Sequence, residues 1–204
     1  MSDLEPIVFV VDDDPSVRRS LGRLIRSAGF TVESFPSAQD FLERPRPDIS
    51  GCLVLDIHMP GVSGLDLQEE LAAAEVNLPV IFLTGYGTVP ASVRAMKAGA
   101  VDFLEKPVDD RALVDAIHQA VERNRRARRE QAEIREIERR IELLSPRERE
   151  VFSLLLTGML NKQIASELGT TEKTIKVHRG RVMEKMQASS MAELVRLAAK
   201  LRIR

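Results

Sequence analysis

The sequence is poor in the features that mark secreted and membrane proteins. It has one cysteine in 204 residues, which excludes an internal disulfide bond and is typical of the reducing cytoplasm. No apolar run approaches the roughly 20 residues that a membrane-spanning helix needs, and the first residues lack a secretory pattern. We therefore expect a cytoplasmic protein with no membrane partner. Cys52 lies in an apolar segment and is expected in the core.

The chain also has little excess charge of either sign overall, but its charged residues are unevenly distributed along the sequence. The net charge is −1, yet residues 1–118 hold 10 basic and 19 acidic side chains, a net charge of −9. Residues 119–144 hold 8 and 6 (+2), and residues 145–204 hold 12 and 6 (+6). A chain of this length suits two small domains. The asymmetry indicates two domains with different partners, and the basic one is a candidate for binding nucleic acid.

The acidic part alternates between short apolar segments and segments whose apolar residues have helical spacing. The apolar segments predict strands at residues 7–11, 31–35, 52–55, 79–83 and 101–105, each followed by a helix. Strands this apolar are buried on both faces. Five such βα units predict an α/β fold with a doubly wound, five-stranded parallel sheet.

Polar side chains follow four of the predicted strands. Asp12, Asp13 and Asp14 follow the first strand, Asp56 the third, Thr84 the fourth and Lys106 the fifth. Since the carboxyl ends of parallel strands meet at one edge of a sheet, we expect these groups to converge. Crowded carboxylates need a cation between them, and Mg²⁺ fits oxygen ligands with room for a phosphate. Asp14 is different, because it precedes Pro15 and is expected to cap a helix.

Such a site suits the transfer of a phosphoryl group to a carboxylate. Asp56 would attack phosphorus, while the metal, Lys106 and Thr84 stabilise the charge on the phosphoryl oxygens. The backbone carbonyl of His58 is a candidate metal ligand, and its side chain is expected to point to solvent. Each residue alone could be an ordinary turn or strand residue, but four strand ends together favour a shared site.

The segments VVDDDPSVR, LVLDIHMPG, IFLTG and DFLEKP carry a family resemblance in this order and spacing. They resemble the receiver domain of bacterial two-component response regulators, over residues 5 to about 125. The resemblance implies that Asp56 is the phosphoacceptor for a sensor histidine kinase. It also implies that Asp12 and Asp13 hold Mg²⁺, or another divalent cation such as Mn²⁺, directly or through water.

The same resemblance implies a switch around the phosphoacceptor. Thr84 and Lys106 would be the switch pair, and the peptide bond between Lys106 and Pro107 would be cis, a form that only proline makes cheap. Phe103 falls where the family keeps a rotating aromatic side chain. Without the resemblance, Phe103 would be interpreted as an ordinary core residue.

The next segment is rich in arginine and glutamate and has no glycine or proline before Pro146. Its isoleucines, Ile134, Ile137 and Ile141, recur as in a short heptad seam. We expect a helical linker over residues 122–142 whose last two turns pack. A self-pairing coiled coil and DNA contacts by the arginines are the alternatives.

The basic part predicts four short helices. Ser145 with Glu148 forms a capping box before the first helix, and Ser190 with Glu193 forms another before the last. The middle two helices flank residues 169–171, as in a helix-turn-helix. On the second of them, the residues off the apolar stripe are candidate DNA contacts: Lys173, Thr174, Lys176, Val177, Arg179 and Arg181.

The segment LSPREREVFSLLLTGMLNKQIASELGTTEKTIKVHRGRVMEKM resembles the LuxR-type helix-turn-helix, over residues 143–201. With the receiver, this is the arrangement of the NarL/FixJ class of response regulators, of the FixJ and StyR type. The resemblance implies base contacts by Lys176 and Val177. At Gly180 some members carry a lysine, so the base contact at that position is open, with Arg179 and Arg181 as candidates.

The sequence therefore predicts a receiver at residues 1–121, a linker at 122–142 and an all-α, four-helix DNA-binding domain at 143–204. We expect a regulator of transcription and not an enzyme, in which phosphorylation promotes homodimerisation and promoter binding, with RNA polymerase as a further partner. The alternatives are a phosphorelay or scaffold protein without DNA binding and a haloacid-dehalogenase-like phosphatase. The phosphatase would need an aspartate where the chain has His58.

Overall fold

The computed structural model describes residues 5–44, 50–85 and 89–201. Its first part contains β1 (Ile7–Val11), α1 (Pro15–Ser27), β2 (Thr31–Phe35), α2 (Ala38–Glu43), β3 (Gly51–Asp56), α3 (Gly64–Ala73), β4 (Val80–Thr84), α4 (Val89–Lys97), β5 (Asp102–Glu105) and α5 (Asp110–Glu142). Four shorter helices follow: α6 (Pro146–Leu156), α7 (Asn161–Glu167), α8 (Glu172–Lys185) and α9 (Met191–Leu201). In the described ranges, no helix is both long enough and apolar enough to span a bilayer.

The five strands form one parallel sheet in the order β2-β1-β3-β4-β5. Successive side chains of a strand point to opposite faces, so each strand contributes to two apolar clusters. Phe9 and Leu53 belong to one cluster with residues of α2 and α3, whereas Val8 and Val54 belong to the other with residues of α1 and α5. The doubly wound fold that the sequence predicts is confirmed.

Cys52 lies inside the second of these clusters, as predicted. Its side chain is fully buried and forms no disulfide bond. Burial raises the pKa of the Cys52 thiol to about 12, because the thiolate would have no solvent around it. The thiol is therefore neutral and acts as a packing group.

Helix α5 is anchored to the sheet by a buried asparagine. The Asn124 side chain accepts a hydrogen bond from the N–H of Gly51 (3.1 Å) and donates one to the carbonyl of Asn77 (2.6 Å). These contacts tie the helix to the start of β3 and to the loop before β4. Sequence analysis did not identify Asn124, because its neighbours in the sequence are arginines, and an arginine-rich segment predicts an exposed surface.

The chain divides into two compact units, residues 1–128 and 129–204. The division falls inside α5, a single helix of 33 residues, and inside the segment predicted as a linker. In the second unit, Ile137 is buried and Ile141 is half-buried in one apolar cluster with residues of α6, α7, α8 and α9. The last turns of the helix therefore pack, as expected.

The first predicted capping box is present. The N–H of Ser145 donates to the Glu148 carboxylate (2.8 Å), and the N–H of Glu148 donates to the Ser145 hydroxyl (3.3 Å). The second predicted capping box forms only in part, because one of its two hydrogen bonds goes to another residue. Glu193 donates its N–H to the Ser190 hydroxyl (3.2 Å), but its carboxylate accepts from the N–H of Ser189 (2.8 Å). Ser189 offers its hydroxyl to the same carboxylate, so two donors compete successfully with the single N–H of Ser190.

Candidate functional site

The strand order creates a crevice at one edge of the sheet. The neighbours of β1 are β2 and β3, so the crossovers on its two sides run in opposite directions and the loops after β1 and β3 separate. Asp12 follows β1 and is 1% exposed, and Asp56 ends β3 and is 6% exposed. Both carboxylates therefore lie in this crevice.

A lysine joins the two carboxylates. Lys106, which follows β5, places its ammonium nitrogen Nζ 2.7 Å from Oδ2 of Asp12 and 2.8 Å from Oδ2 of Asp56. The remaining carboxylate oxygens accept from the backbone, with the N–H of Asp14 2.9 Å from Asp12 Oδ1 and the N–H of His58 3.2 Å from Asp56 Oδ1. Each carboxylate is thus fixed by one charged and one backbone donor.

Burial and charge act in opposite directions on these groups. Burial raises the pKa of Asp12 above its usual value, although the hydrogen bond and charge of Lys106 oppose the change. Burial lowers the pKa of Lys106, but its hydrogen bonds to Asp12 and Asp56 and their charges outweigh burial and raise it. Lys106 is therefore cationic at neutral pH and offsets part of the negative charge of the crevice.

The acidic residues fit a hard divalent cation. Asp12, Asp13 and Asp56 each offer a carboxylate oxygen, and these oxygens lie within 4.8 Å of one another. A set of carboxylates of this kind, with Asp13 exposed to water, is the donor chemistry that Mg²⁺ takes while it keeps several water ligands. We call Asp12, Asp13 and Asp56 the acidic cluster. The His58 side chain is exposed, as expected.

Asp14 takes the structural role that the sequence predicts. Its carboxylate accepts a hydrogen bond of 2.7 Å from the N–H of Ser16 and caps α1, with Pro15 at the first helical position. That backbone hydrogen bond lowers the pKa of Asp14. A carboxylate engaged in this way stabilises the helix start.

Thr84 and Lys106, the predicted switch pair, lie at the ends of the neighbouring strands β4 and β5. Thr84 is fully buried at the end of β4, and its carbonyl accepts from the N–H of Lys106 (2.7 Å). The peptide bond between Lys106 and Pro107 is cis, as the resemblance implied. Phe103 is half-buried, and its ring centroid lies 6.5 Å from that of Phe82.

Two further residues fix the backbone of the crevice, and sequence analysis missed both. Arg18 donates to the carbonyls of Asp12 (2.6 Å) and Asp13 (2.9 Å). At Gly64, a Cβ atom would fall 2.2 Å from the backbone carbonyl oxygen of Asp56, so no larger residue fits without movement. An arginine on an amphipathic helix and a glycine at a helix start are too common to attract notice.

The second unit contains the predicted helix-turn-helix. Helices α7 and α8 are joined through Gly169, which has a φ of +60°, a conformation that glycine adopts without steric cost. Thr171 caps α8 by accepting from the N–H of Thr174 (3.2 Å). The turn is therefore built from the residues between the two predicted helices.

One face of α8 is exposed and basic. Its members lie three or four residues apart and so share that face: Lys173, Lys176, Val177, Gly180 and Arg181. All five are exposed, and Val177 is 50% exposed. The other two candidates are half-buried: Thr174 has its hydroxyl 2.9 Å from that of Thr171, and Arg179 donates to the Asn161 side chain (3.3 Å).

An ion pair between a buried carboxylate and a half-buried lysine holds the C-terminal end of α8. Lys185 donates to the Glu148 carboxylate (2.6 Å) and to the carbonyl of Leu143 (3.0 Å). The hydrogen bond from Lys185, together with the N–H of Ser145, lowers the pKa of Glu148 to about 2. Glu148 thus supports both the start of α6 and the end of α8.

The parallel sheet has the order 2-1-3-4-5, an acidic cluster and a lysine lie in its crevice, and a helix-turn-helix follows in the second unit. This combination defines a two-component response regulator. Comparison with protein families agrees: the response regulator receiver domain matches residues 8–118, and the luxR family of bacterial regulatory proteins matches residues 142–198. The chain belongs to the response regulators that join a receiver to a LuxR-type DNA-binding domain.

The chain is similar to its relatives over most of their length. Nodulation protein W of Bradyrhizobium diazoefficiens is 51% identical over 197 residues, which are 97% of this chain and 87% of that protein. The transcriptional regulatory protein FixJ of Azorhizobium caulinodans is 46% identical over 94% of this chain and 90% of its own. Among solved structures, the response regulator StyR has 49% identity and a TM-score of 0.89, covering 97% of this chain and 100% of its own.

Proposed function

We propose that this response regulator controls transcription through phosphorylation of Asp56 by a sensor histidine kinase. The observation that carries the proposal is the environment of Asp56: a carboxylate beside two other acids, with a lysine ammonium 2.8 Å from one of its oxygens. The transfer requires a carboxylate nucleophile, a cation at the phosphoryl oxygens and little acid–base chemistry. No other described group of three acidic, histidine or cysteine residues has this geometry.

In the transfer, a carboxylate oxygen of Asp56 attacks the phosphorus of a phosphohistidine on the kinase. The bond between phosphorus and the histidine nitrogen breaks, the imidazole leaves, and an acyl phosphate forms on Asp56. Lys106 then donates to a phosphoryl oxygen in place of a carboxylate oxygen. The buried hydroxyl of Thr84 is the second donor. Mg²⁺ or Mn²⁺, held by Asp12, Asp13, Asp56 and the carbonyl of His58, would supply further positive charge.

The new phosphoryl group changes the surface of the receiver. It adds about −1.5 to −2 charges and three strong hydrogen-bond acceptors, which draw Thr84 towards it, and Phe103 follows. We propose that the altered surface of α4 and β5 forms a homodimer. Two DNA-binding domains then meet half-sites about one helical turn apart, and linking two weak binders raises the affinity without any new base contact.

The exposed face of α8 is our proposed DNA contact. Lys173, Lys176 and Arg181 offer cations for phosphates and base edges, and Val177 offers methyl groups to a thymine. Thr174 and Arg179 lie beside this face and would complete the contact. Binding at promoters implies RNA polymerase as a further partner and the bacterial cytoplasm as the location.

The test is the intact mass of the protein after incubation with acetyl phosphate and Mg²⁺. The wild type should gain one phosphoryl group, and Asp56→Asn should gain none, since an amide cannot attack phosphorus. Asp115→Asn is the matched control, because Asp115 is exposed on α5 away from the acidic cluster, and it should gain the same mass as the wild type. A folded wild type that gains no mass, or an Asp56→Asn variant that does, would overturn the proposal.

A further inference from the structure

The loop that carries two residues of the acidic cluster is held by an arginine of α1. Strand β1 ends at Val11, so the carbonyl groups of Asp12 and Asp13 lie beyond its last residue. One terminal nitrogen of the Arg18 guanidinium donates to both carbonyls, at 2.6 Å and 2.9 Å. The Arg18 side chain is half-buried, and it closes a bridge from α1 back to the loop that precedes it.

Among the residues that the structure describes, the other hydrogen bonds of this loop involve its N–H groups and the Asp12 carboxylate. The N–H of Asp12 donates to the carbonyl of Phe35 (3.3 Å), and the N–H of Asp14 donates to the Asp12 carboxylate (2.9 Å). Rotation about the backbone bonds of residues 12 and 13 would redirect both Cα–Cβ bonds and separate their carboxylates. Arg18 opposes that rotation, since its donors face both carbonyl oxygens at once.

We propose that Arg18 is a positioning residue for the divalent cation of the acidic cluster. It orients Asp12 and Asp13 so that their carboxylates reach the ion together with Asp56. The inference rests on the proposed function, because the cation serves the phosphorylation of Asp56. Replacing a residue that orients metal ligands through hydrogen bonds typically lowers metal affinity 10- to 100-fold.

Electrostatics alone argues in the opposite direction. Arg18 is a cation close to a site that binds a cation, so removing its charge should strengthen metal binding. Positioning and charge therefore predict opposite signs for the same substitution. This opposition makes the proposal testable with one binding measurement.

The test uses Mn²⁺ as the probe, with the full-length protein, and follows free Mn²⁺ by electron paramagnetic resonance. Arg18→Gln removes the charge and the paired donors, and we expect affinity for Mn²⁺ to fall by about tenfold or more. Arg18→Lys keeps the charge but has a compact ammonium, and we expect a smaller loss. Arg19→Gln is the matched control: Arg19 is the exposed neighbour, donates to the Ser16 hydroxyl (3.3 Å), and should leave the affinity unchanged.

Tighter Mn²⁺ binding by Arg18→Gln, or unchanged binding by both Arg18 variants, would overturn the proposal. Circular dichroism and thermal melts establish that each variant is folded. If Arg18→Gln does not fold, Arg18→Lys carries the test, because a loss of affinity with its charge retained can only come from position.

A second readout separates positioning from a general loss of activity. In the acetyl phosphate reaction, the Mg²⁺ concentration at half-maximal rate should rise in the Arg18 variants, with the rate at saturating Mg²⁺ close to that of the wild type. A lower saturating rate at an unchanged half-maximal concentration would contradict positioning. If the wild type gains no phosphoryl group, the proposed function fails, while the Mn²⁺ comparison still decides the role of Arg18.

Discussion

Among single residues, Glu148 shows how strongly one buried carboxylate can be stabilised. It is 3% exposed and accepts hydrogen bonds from the N–H of Ser145 and from Lys185. Its pKa falls to about 2 from a usual value of 4.5. Because the folded pKa is the lower one, the contribution to stability is complete above about pH 4.5 and is lost as the pH falls towards 2.

We predict that Glu148→Gln is less stable than the wild type at pH 7, by about 1–3 kcal/mol in the free energy of unfolding, because hydrogen bonds to a charged group are lost. The difference should shrink as the pH is lowered through 4.5. Urea unfolding at several pH values measures both effects.

Glu150→Gln is the control for that measurement. Glu150 pairs with Arg147 (2.7 Å) but is exposed, and exposed pairs contribute about 0–1 kcal/mol. If the difference in the free energy of unfolding between Glu148→Gln and the wild type stays constant from pH 7 to pH 2.5, the lowered pKa of Glu148 is contradicted.

Residues of the first unit differ in how far the sequence predicts them. Asp12, Asp56 and Lys106 could be predicted, because each follows a buried strand and parallel strand ends must meet at one edge. Arg18 and Asn124 could not. Their roles depend on where a long or amide side chain ends in space, and Asn124 reaches Gly51 across 73 residues of sequence.

At the scale of elements, helix α8 has an unusual gap in its basic face. Gly180 lies beside Lys176 and Arg181 on the exposed side, and a Cβ atom placed on it would meet no atom within 4 Å apart from its chain neighbours and the backbone of its own helix. Glycine inside a helix costs about 0.5–1 kcal/mol relative to alanine. The position therefore accepts a larger residue, and the helix would gain stability from one.

We predict that Gly180→Lys binds promoter DNA more tightly than the wild type. One added phosphate contact should make the slope of log affinity against log salt steeper by about one. Gel shifts or fluorescence anisotropy at several salt concentrations measure the slope.

Gly180→Ala separates the two effects of that substitution. It should gain helix stability without any change in the salt slope. An equal slope for the lysine and alanine variants would exclude residue 180 from the DNA contact. A wild type whose binding does not depend on salt would instead favour a scaffold protein without DNA binding.

Elements were predicted closely where apolar periodicity defines them and less closely at their ends. Strand β2 has the predicted bounds, Thr31–Phe35. Strand β3 was predicted at residues 52–55 but includes Gly51 and Asp56, because backbone pairing of Asp56 with Leu83 continues past the last apolar side chain. Hydrogen-bonded pairing depends on the neighbouring strand, which the local pattern does not contain.

At the scale of the whole molecule, charge and ligand chemistry are separated between two units. The acidic cluster lies within residues 1–128, and the exposed basic face of α8 lies within residues 129–204. A ligand stabilises only the unit whose folded state binds it. The two units should therefore respond to different solutes.

We predict two unfolding transitions in calorimetry. Mg²⁺ should raise the midpoint temperature of one and leave that of the other unchanged. At a free Mg²⁺ concentration 100 times its dissociation constant, the gain is about 2.7 kcal/mol. Asp13→Asn, which removes one carboxylate of the acidic cluster, should reduce the shift. Two transitions that move together with Mg²⁺ would show that both units unfold as one.

The close approach at Gly64 bears on how this protein can change over generations. A side chain at position 64 would push against the peptide group of Asp56 itself, whatever residue stands at position 56. Any lineage that replaces Gly64 must therefore also shift the backbone at Asp56. A substitution at Gly64 can thus be inherited only together with a change in the backbone that carries Asp56.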